Sequence, residues 1–157
     1  MADARFEDGG DRPLRLKALD GDDLTVLSSL CQDAIFPASE MSWDRKARRF
    51  GLLLNRFRWE DAANAKIGKR QVERVQAVFA IEDVISVQTQ GVQPGDEDTI
   101  HALLNVAFEA GEDGAGRVLL TLSGDGAIAV EVEALEAVLR DVTRPYIAPS
   151  RKVPQHD

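Results

Sequence analysis

One cysteine, Cys31, stands among 157 residues, with two histidines and one tyrosine. A single thiol forms no disulfide within the chain. A four-ligand structural zinc site would need both His101 and His156, Cys31 and a carboxylate besides. The lone thiol fits a reducing compartment. Long apolar runs are missing too. The longest, at 77–81, has five residues, whereas a membrane span takes about twenty. The opening MADARFEDGGDRP is charged throughout and has no apolar stretch, so the sequence predicts no secretory signal there and a soluble, cytoplasmic protein. No G-x-x-x-x-G-K-[ST], C-x-x-C or H-E-x-x-H pattern occurs, so no cofactor or metal is expected. The nearest glycine cluster, GEDGAG at 111–116, carries two acids that would repel a phosphate, and it reads as a hairpin turn.

The remaining composition is ordinary for a globular domain, at 44% hydrophobic and 29% charged. Residues 1–12 read as a mobile arm, 13–143 as a single α+β domain and 144–157 as a tail whose Tyr146 and Ile147 dock on the body. Leu14, Leu16 and Ala18 alternate with Arg15 and Lys17 as a half-buried strand. Asp20 then stands where a helix N-cap would, and Leu24, Leu27, Leu30, Cys31 and Ala34 follow at helical spacing up to the block at Pro37. From there the two-residue period dominates. Strands are expected around Met41 and Trp43, through Phe50, Leu52 and Leu54 to Trp59, and around Phe79, Val87, Val106, Leu120 and Val130. Residues 60–72 read as a loop with a helical turn. Glu82-Asp83 and Gly124-Asp125-Gly126 read as tight turns. Leu135, Val138, Leu139 and Val142 predict a C-terminal helix. The expected architecture is a single bent antiparallel sheet, or partly closed barrel, of about seven to eight strands with one helix after the first strand and one at the C-terminus. A pleckstrin-homology-like roll is built that way.

The stretches LRLKALDGDDLTVLSSLCQDA, MSWDRKARRFGLLLNRFRWED and LTLSGDGAIAVEVEALEAVLRD resemble a family of short alphaproteobacterial-type proteins known as a domain of unknown function. The resemblance implies a non-secreted single-domain protein and brings no activity, cofactor or catalytic residue.

Individual reactive residues read as structural. Cys31 falls on the apolar helix face and is expected to be a buried, inert thiol. His101, near Glu97 and Asp98, reads as a surface or strand-edge residue rather than a general base. Glu131 and Glu133 read as the solvated face of a strand. An acid/base pair or a cation site there is the lesser alternative.

Charge is the one feature above background. The chain is net −8, yet residues 44–74 hold ten bases and four acids, and residues 81–141 hold thirteen acids and two bases. The exposed bases expected to form a contact surface are Arg45, Lys46, Arg48, Arg49, Arg56 and Arg58, with Phe57 and Trp59 turned to the core. This points first to a non-enzymatic interaction domain whose partner is a protein or a second copy. A small-anion module using Arg56 and Arg58 in the sheet concavity is the alternative. Nucleic acid is disfavoured by the overall negative charge, although Arg with interleaved aromatics suits it.

Overall fold

The computed structural model describes residues 13–69 and 71–147. The expected arm and most of the expected tail lie outside them. Ten strands form one antiparallel sheet: β1 (Arg15–Ala18), β2 (Ala34–Pro37), β3 (Met41–Asp44), β4 (Arg49–Phe57), β5 (Arg74–Ile81), β6 (Val84–Gln90), β7 (Ile100–Ala110), β8 (Gly116–Leu122), β9 (Ala127–Val132) and β10 (Ala137–Asp141). Helix α1 spans Gly21–Leu30 and α2 spans Ala62–Ile67. Among the described residues no helix is long and apolar enough to cross a membrane.

The order across the sheet is β1-β10-β5-β4-β2-β7-β8-β9-β6, with β3 also on β4. Among the described residues the end strands β1 and β6 do not pair, so these strands close no barrel. Strands β2 and β4 share the single register pair Ile35↔Asn55. The sheet therefore has two halves joined at that point, β3-β4-β5-β10-β1 and β2-β7-β8-β9-β6. The alternation that forms these strands also fills the space between them. Phe50, Leu52 and Leu54, then Ala77, Phe79 and Ile81, and Ala137 and Leu139 from one half meet Val118, Leu120 and Leu122, then Ile128, Val130 and Val132 from the other in one core. Helix α1 adds Leu24 and Leu27, with Cys31 at its C-cap, and packs against β7 and β1. Its cap is the expected one. The Asp20 carboxylate accepts the Asp23 amide at 2.8 Å, leaving one fewer amide unpaired in the first turn.

Three expectations need correction. The C-terminal helix is strand β10, because Ala137, Leu139 and Asp141 turn inward between β1 and β5 while Val142 is exposed. Without that helix the comparison with a pleckstrin-homology-like roll loses its basis. Helix α1 stops at Leu30 instead of near Ile35–Phe36, and β2 follows, so the strands number ten among the described residues rather than seven to eight. His101 is buried, not at the surface. Its ring lies 5.8 Å from that of Phe36. Within residues 60–72, read as a loop with a helical turn, that turn is α2, preceded by a 3-10 turn over Trp59–Asp61.

Candidate functional site

The basic segment begins in the β3–β4 hairpin. The Asp44 side chain accepts the Ala47 amide at 3.0 Å, and Arg48 takes a left-handed φ of 56°, which turns the chain back into β4. Register pairs Trp43↔Phe50 and Asp44↔Arg49 close the hairpin. Its far side is tied to the other half of the sheet. The Arg48 carbonyl accepts the Val84 amide at 2.9 Å, and the Arg48 guanidinium pairs with Glu133. Arg49 pairs with Glu82 at 2.7 Å. Arg45 and Lys46 are exposed at the tip and form no ion pair among the described residues.

Arg56 and Arg58 lie elsewhere, and their expected exposure is wrong. Arg56 is 0% exposed. It follows Phe50, Leu52 and Leu54 on the inward face of β4, so the strand's own two-residue period carries it into the interior. Its five N–H donors are all engaged. Nε and Nη2 donate to Asp141 at 3.1 and 3.0 Å, Nη1 and Nη2 donate to Glu60 at 2.9 and 2.8 Å, and Nη1 also donates to the Phe57 carbonyl at 3.1 Å. Burial opposes the guanidinium charge, but the Glu60 and Asp141 bonds outweigh it and hold the Arg56 pKa above its ordinary value. Glu60 is drawn below the usual carboxylate range. Burial would raise it, and the Arg56 hydrogen bonds and charge prevail. Arg58 is 5% exposed, pairs with Glu73 and lies 3.5 Å from Asp61. With every donor committed, Arg56 has nothing to offer an anion, and the small-anion site expected there falls.

The aromatic residues separate likewise. Phe57 is buried beneath the Arg74 guanidinium, 4.1 Å above its ring, and the Trp59 indole donates to the Gln32 carbonyl at 2.8 Å. Tyr146 docks as expected. Its amide and carbonyl bond to the Arg74 backbone, and its hydroxyl meets Asn55. Ile147 is exposed. Trp43, just before the basic segment, stands in the hairpin next to the exposed bases, whereas Phe50 and Phe57 are buried.

Trp43, Arg45 and Arg48 form one wall of a groove of about 380 Å³. Val84, Ile85, Ser86 and Val87 of β6, with Glu133, form the other. The volume is within the usual range of ligand sites, about 300–1,000 Å³. Trp43 and Val87 are half-buried and pack on the core, so the floor is apolar and the rim charged.

The family model for proteins of unknown function DUF2948 matches residues 14–156. The chain belongs to this family. Neither the curated proteins nor the solved structures gave a significant match. The DUF2948 match covers every described element and agrees with the resemblance read from the sequence, and it names no chemistry.

Among the described residues of this DUF2948 chain, His101 and the Glu131/Glu133 pair do not come together. His101 lies beside the Leu122–Gly126 end of the β8–β9 hairpin, and Glu131 and Glu133 lie at the opposite end. Roughly five positions separate them along β9, about 17 Å at 3.3 Å per residue. The Cys31 thiol is fully buried, and burial pushes its pKa up to about 12. The signals missed in the sequence were the continuing β4 alternation, which gives Arg56 an inward position, and the uncharged composition of β6.

Proposed function

We propose that this chain is a non-enzymatic protein-interaction domain whose contact surface is the tip of the β3–β4 hairpin and the groove beside it. One observation carries the reading. Four of the six candidate bases are committed to internal carboxylates, and of the two that remain Arg45 lines a groove with Trp43 and Val87 while Lys46 follows it at the exposed hairpin tip. A half-buried aromatic beside unpaired cations is the composition of an interface anchor. The reading includes the cytoplasmic setting expected from the sequence and a partner that is acidic where it meets the hairpin.

The test is a pull-down from host lysate, with and without nuclease, using the wild type and the Arg45→Glu/Lys46→Glu variant. A partner recovered in stoichiometric amount, resistant to nuclease and lost on charge reversal, supports the reading. Recovery unchanged by the reversal, or abolished by nuclease, overturns it. An equal melting temperature for both proteins establishes that the reversal acts at the surface.

A further inference from the structure

The two walls of the groove are both unfinished sheet edges. Strand β3 pairs with β4 alone and β6 with β9 alone among the described residues. Along its outer edge β6 is held at Val84 by Arg48, and from Ile85 to Gln90 that edge makes no backbone hydrogen bond to any other described residue. Exposed edges are ordinarily protected by charge, proline or brevity. Strand β1, at the other end of the sheet, follows this rule with four residues that include Arg15 and Lys17. Strand β6 does not. Its seven residues, VISVQTQ, contain no charge and no proline. Its one protective irregularity is a β-bulge at its start, beyond which Ser86 to Gln90 run in unbroken register with β9. Val84 faces Val132 and Ser86 faces Glu131, so Ile85 is the extra residue, and it is 57% exposed in the groove wall.

We propose, resting on the interaction reading above, that the partner docks as a short extended peptide segment added in the groove to the edge of β6, with carboxylates toward Arg45 and Lys46. Backbone hydrogen bonds to β6 supply the affinity, and the side-chain pockets and the two cations supply the choice of sequence. The occupant is a single extended segment because the groove is walled on both sides. The other wall, Trp43 with Arg45, leaves no place for the sheet that a second copy's β6 would bring with it. The groove is also bounded along its length. Arg48 closes one end at Val84, and beyond the far end of β6 the Asp96 carbonyl accepts the Ser39 amide at 2.9 Å, which ties the β6–β7 loop to the β2–β3 corner. The four β6 residues lining the groove span roughly 13 Å, enough for about four added residues. An alternating sequence suits the site, with apolar side chains on the Trp43 and Val87 floor and acidic ones outward.

The experiment uses three blocked, fluorescently labelled hexapeptides: alternating valine and glutamate, alternating valine and lysine, and the first of these with alternate backbone nitrogens methylated. Anisotropy measures binding to the full chain, and amide hydrogen exchange locates it. Binding of the glutamate peptide with slowed exchange at residues 85–90, at least tenfold weaker binding of the lysine and N-methyl peptides, and at least tenfold loss in Arg45→Glu/Lys46→Glu support the proposal. Binding that ignores N-methylation, or that protects the hairpin and leaves β6 unchanged, overturns strand addition while the basic contact surface stands. Equal binding of the glutamate and lysine peptides removes the role of Arg45 and Lys46 and overturns both readings. No binding of any peptide at millimolar concentration, together with a lysate partner that still depends on Arg45 and Lys46, overturns strand addition alone.

Discussion

Truncation of Arg56 to alanine should be among the most damaging substitutions in this chain. The guanidinium joins β4 to β10 through Asp141 and to the turn after β4 through Glu60. Its two partners respond differently to its loss. The Glu60 side chain is 30% exposed and can recover water, whereas that of Asp141 is 3% exposed and cannot. Arg56→Ala therefore leaves an unpaired carboxylate in the interior and a void beside it. Breaking a buried pair from one side costs about 3–5 kcal/mol. A domain is stable by about 5–15 kcal/mol in all. For a chain of this length each kcal/mol lowers Tm by about 2–4 °C, so the expected fall is about 6–20 °C. Urea unfolding followed by tryptophan fluorescence gives the free energy, and a circular dichroism melt gives Tm. Replacing both charges, as Arg56→Met with Asp141→Leu, removes the unpaired carboxylate and should recover most of the loss. It should stop short of wild type by about 1–3 kcal/mol, the cost of an unpaired buried amide, because the Leu14 amide donates to Asp141 at 3.0 Å and loses its acceptor. A cost below about 1 kcal/mol for Arg56→Ala, or a double variant no better than the single, would refute the reasoning.

Three further outcomes follow from the same geometry. Cys31, with its pKa pushed up to about 12 by burial, should resist a disulfide reagent at pH 8 in the folded protein and react fully in urea. Fast labelling of the native state would contradict its burial. Because the folded thiol ionises later than an unfolded one, its contribution is complete below about pH 8.5 and is lost as pH climbs toward the folded value. Glu60 has the opposite sign. Its folded pKa lies below the ordinary value, so its contribution is present above about pH 4.3 and is lost as pH falls through the depressed one. Glu60→Gln should be less stable than wild type at pH 7, with the gap narrowing in acid-titration unfolding curves. A gap that is constant with pH would refute the ionic role. At Gly116 a Cβ would sit 2.5 Å from the Glu109 carbonyl and 2.7 Å from the Phe108 ring. Gly116→Ala should accordingly cost about 1–3 kcal/mol by urea unfolding, since the β7 backbone cannot yield easily.

Where one period governed a segment, the elements were legible in the sequence. The β8–β9 hairpin is the clearest case. Alternating Val118, Leu120 and Leu122, then a turn with left-handed Gly124 and Asp125, then Ile128, Val130 and Val132 leave no competing pattern. Residues 135–142 fit both periods. Leu135, Val138, Leu139 and Val142 suit a helix, and Ala137 and Leu139 suit a strand. The choice was made by β1 and β5, which offer two edges to pair with and are distant in sequence. At Arg56 the difficulty was chemical. Four residues of one alternation, Phe50, Leu52, Leu54 and Arg56, share an inward face. A guanidinium is placed outside by default because burying it is costly. What makes it tolerable inside is Asp141, eighty-five residues away, which no local pattern reveals.

The same point applies to the charge asymmetry between segments. Read along the chain, the basic residues 44–74 and the acidic residues 81–141 suggest two surfaces awaiting partners. In the fold three of the bases meet acids of the other segment. Arg48 meets Glu133, Arg49 meets Glu82 and Arg56 meets Asp141, each pair joining one segment to the other. Exposed pairs such as the first two contribute about 0–1 kcal/mol each, so the asymmetry adds little to stability outside the buried Arg56 cluster. Its effect on recognition is subtractive. Each internal pair removes a cation from the surface, until the six candidates are reduced to Arg45 and Lys46. Arg45 lines the groove with Trp43 and the uncharged strand β6, and Lys46 follows it at the hairpin tip. On the interaction reading proposed above, an acidic partner would be directed to one end of that groove, since Arg48 and Arg49 of the same hairpin are already paired.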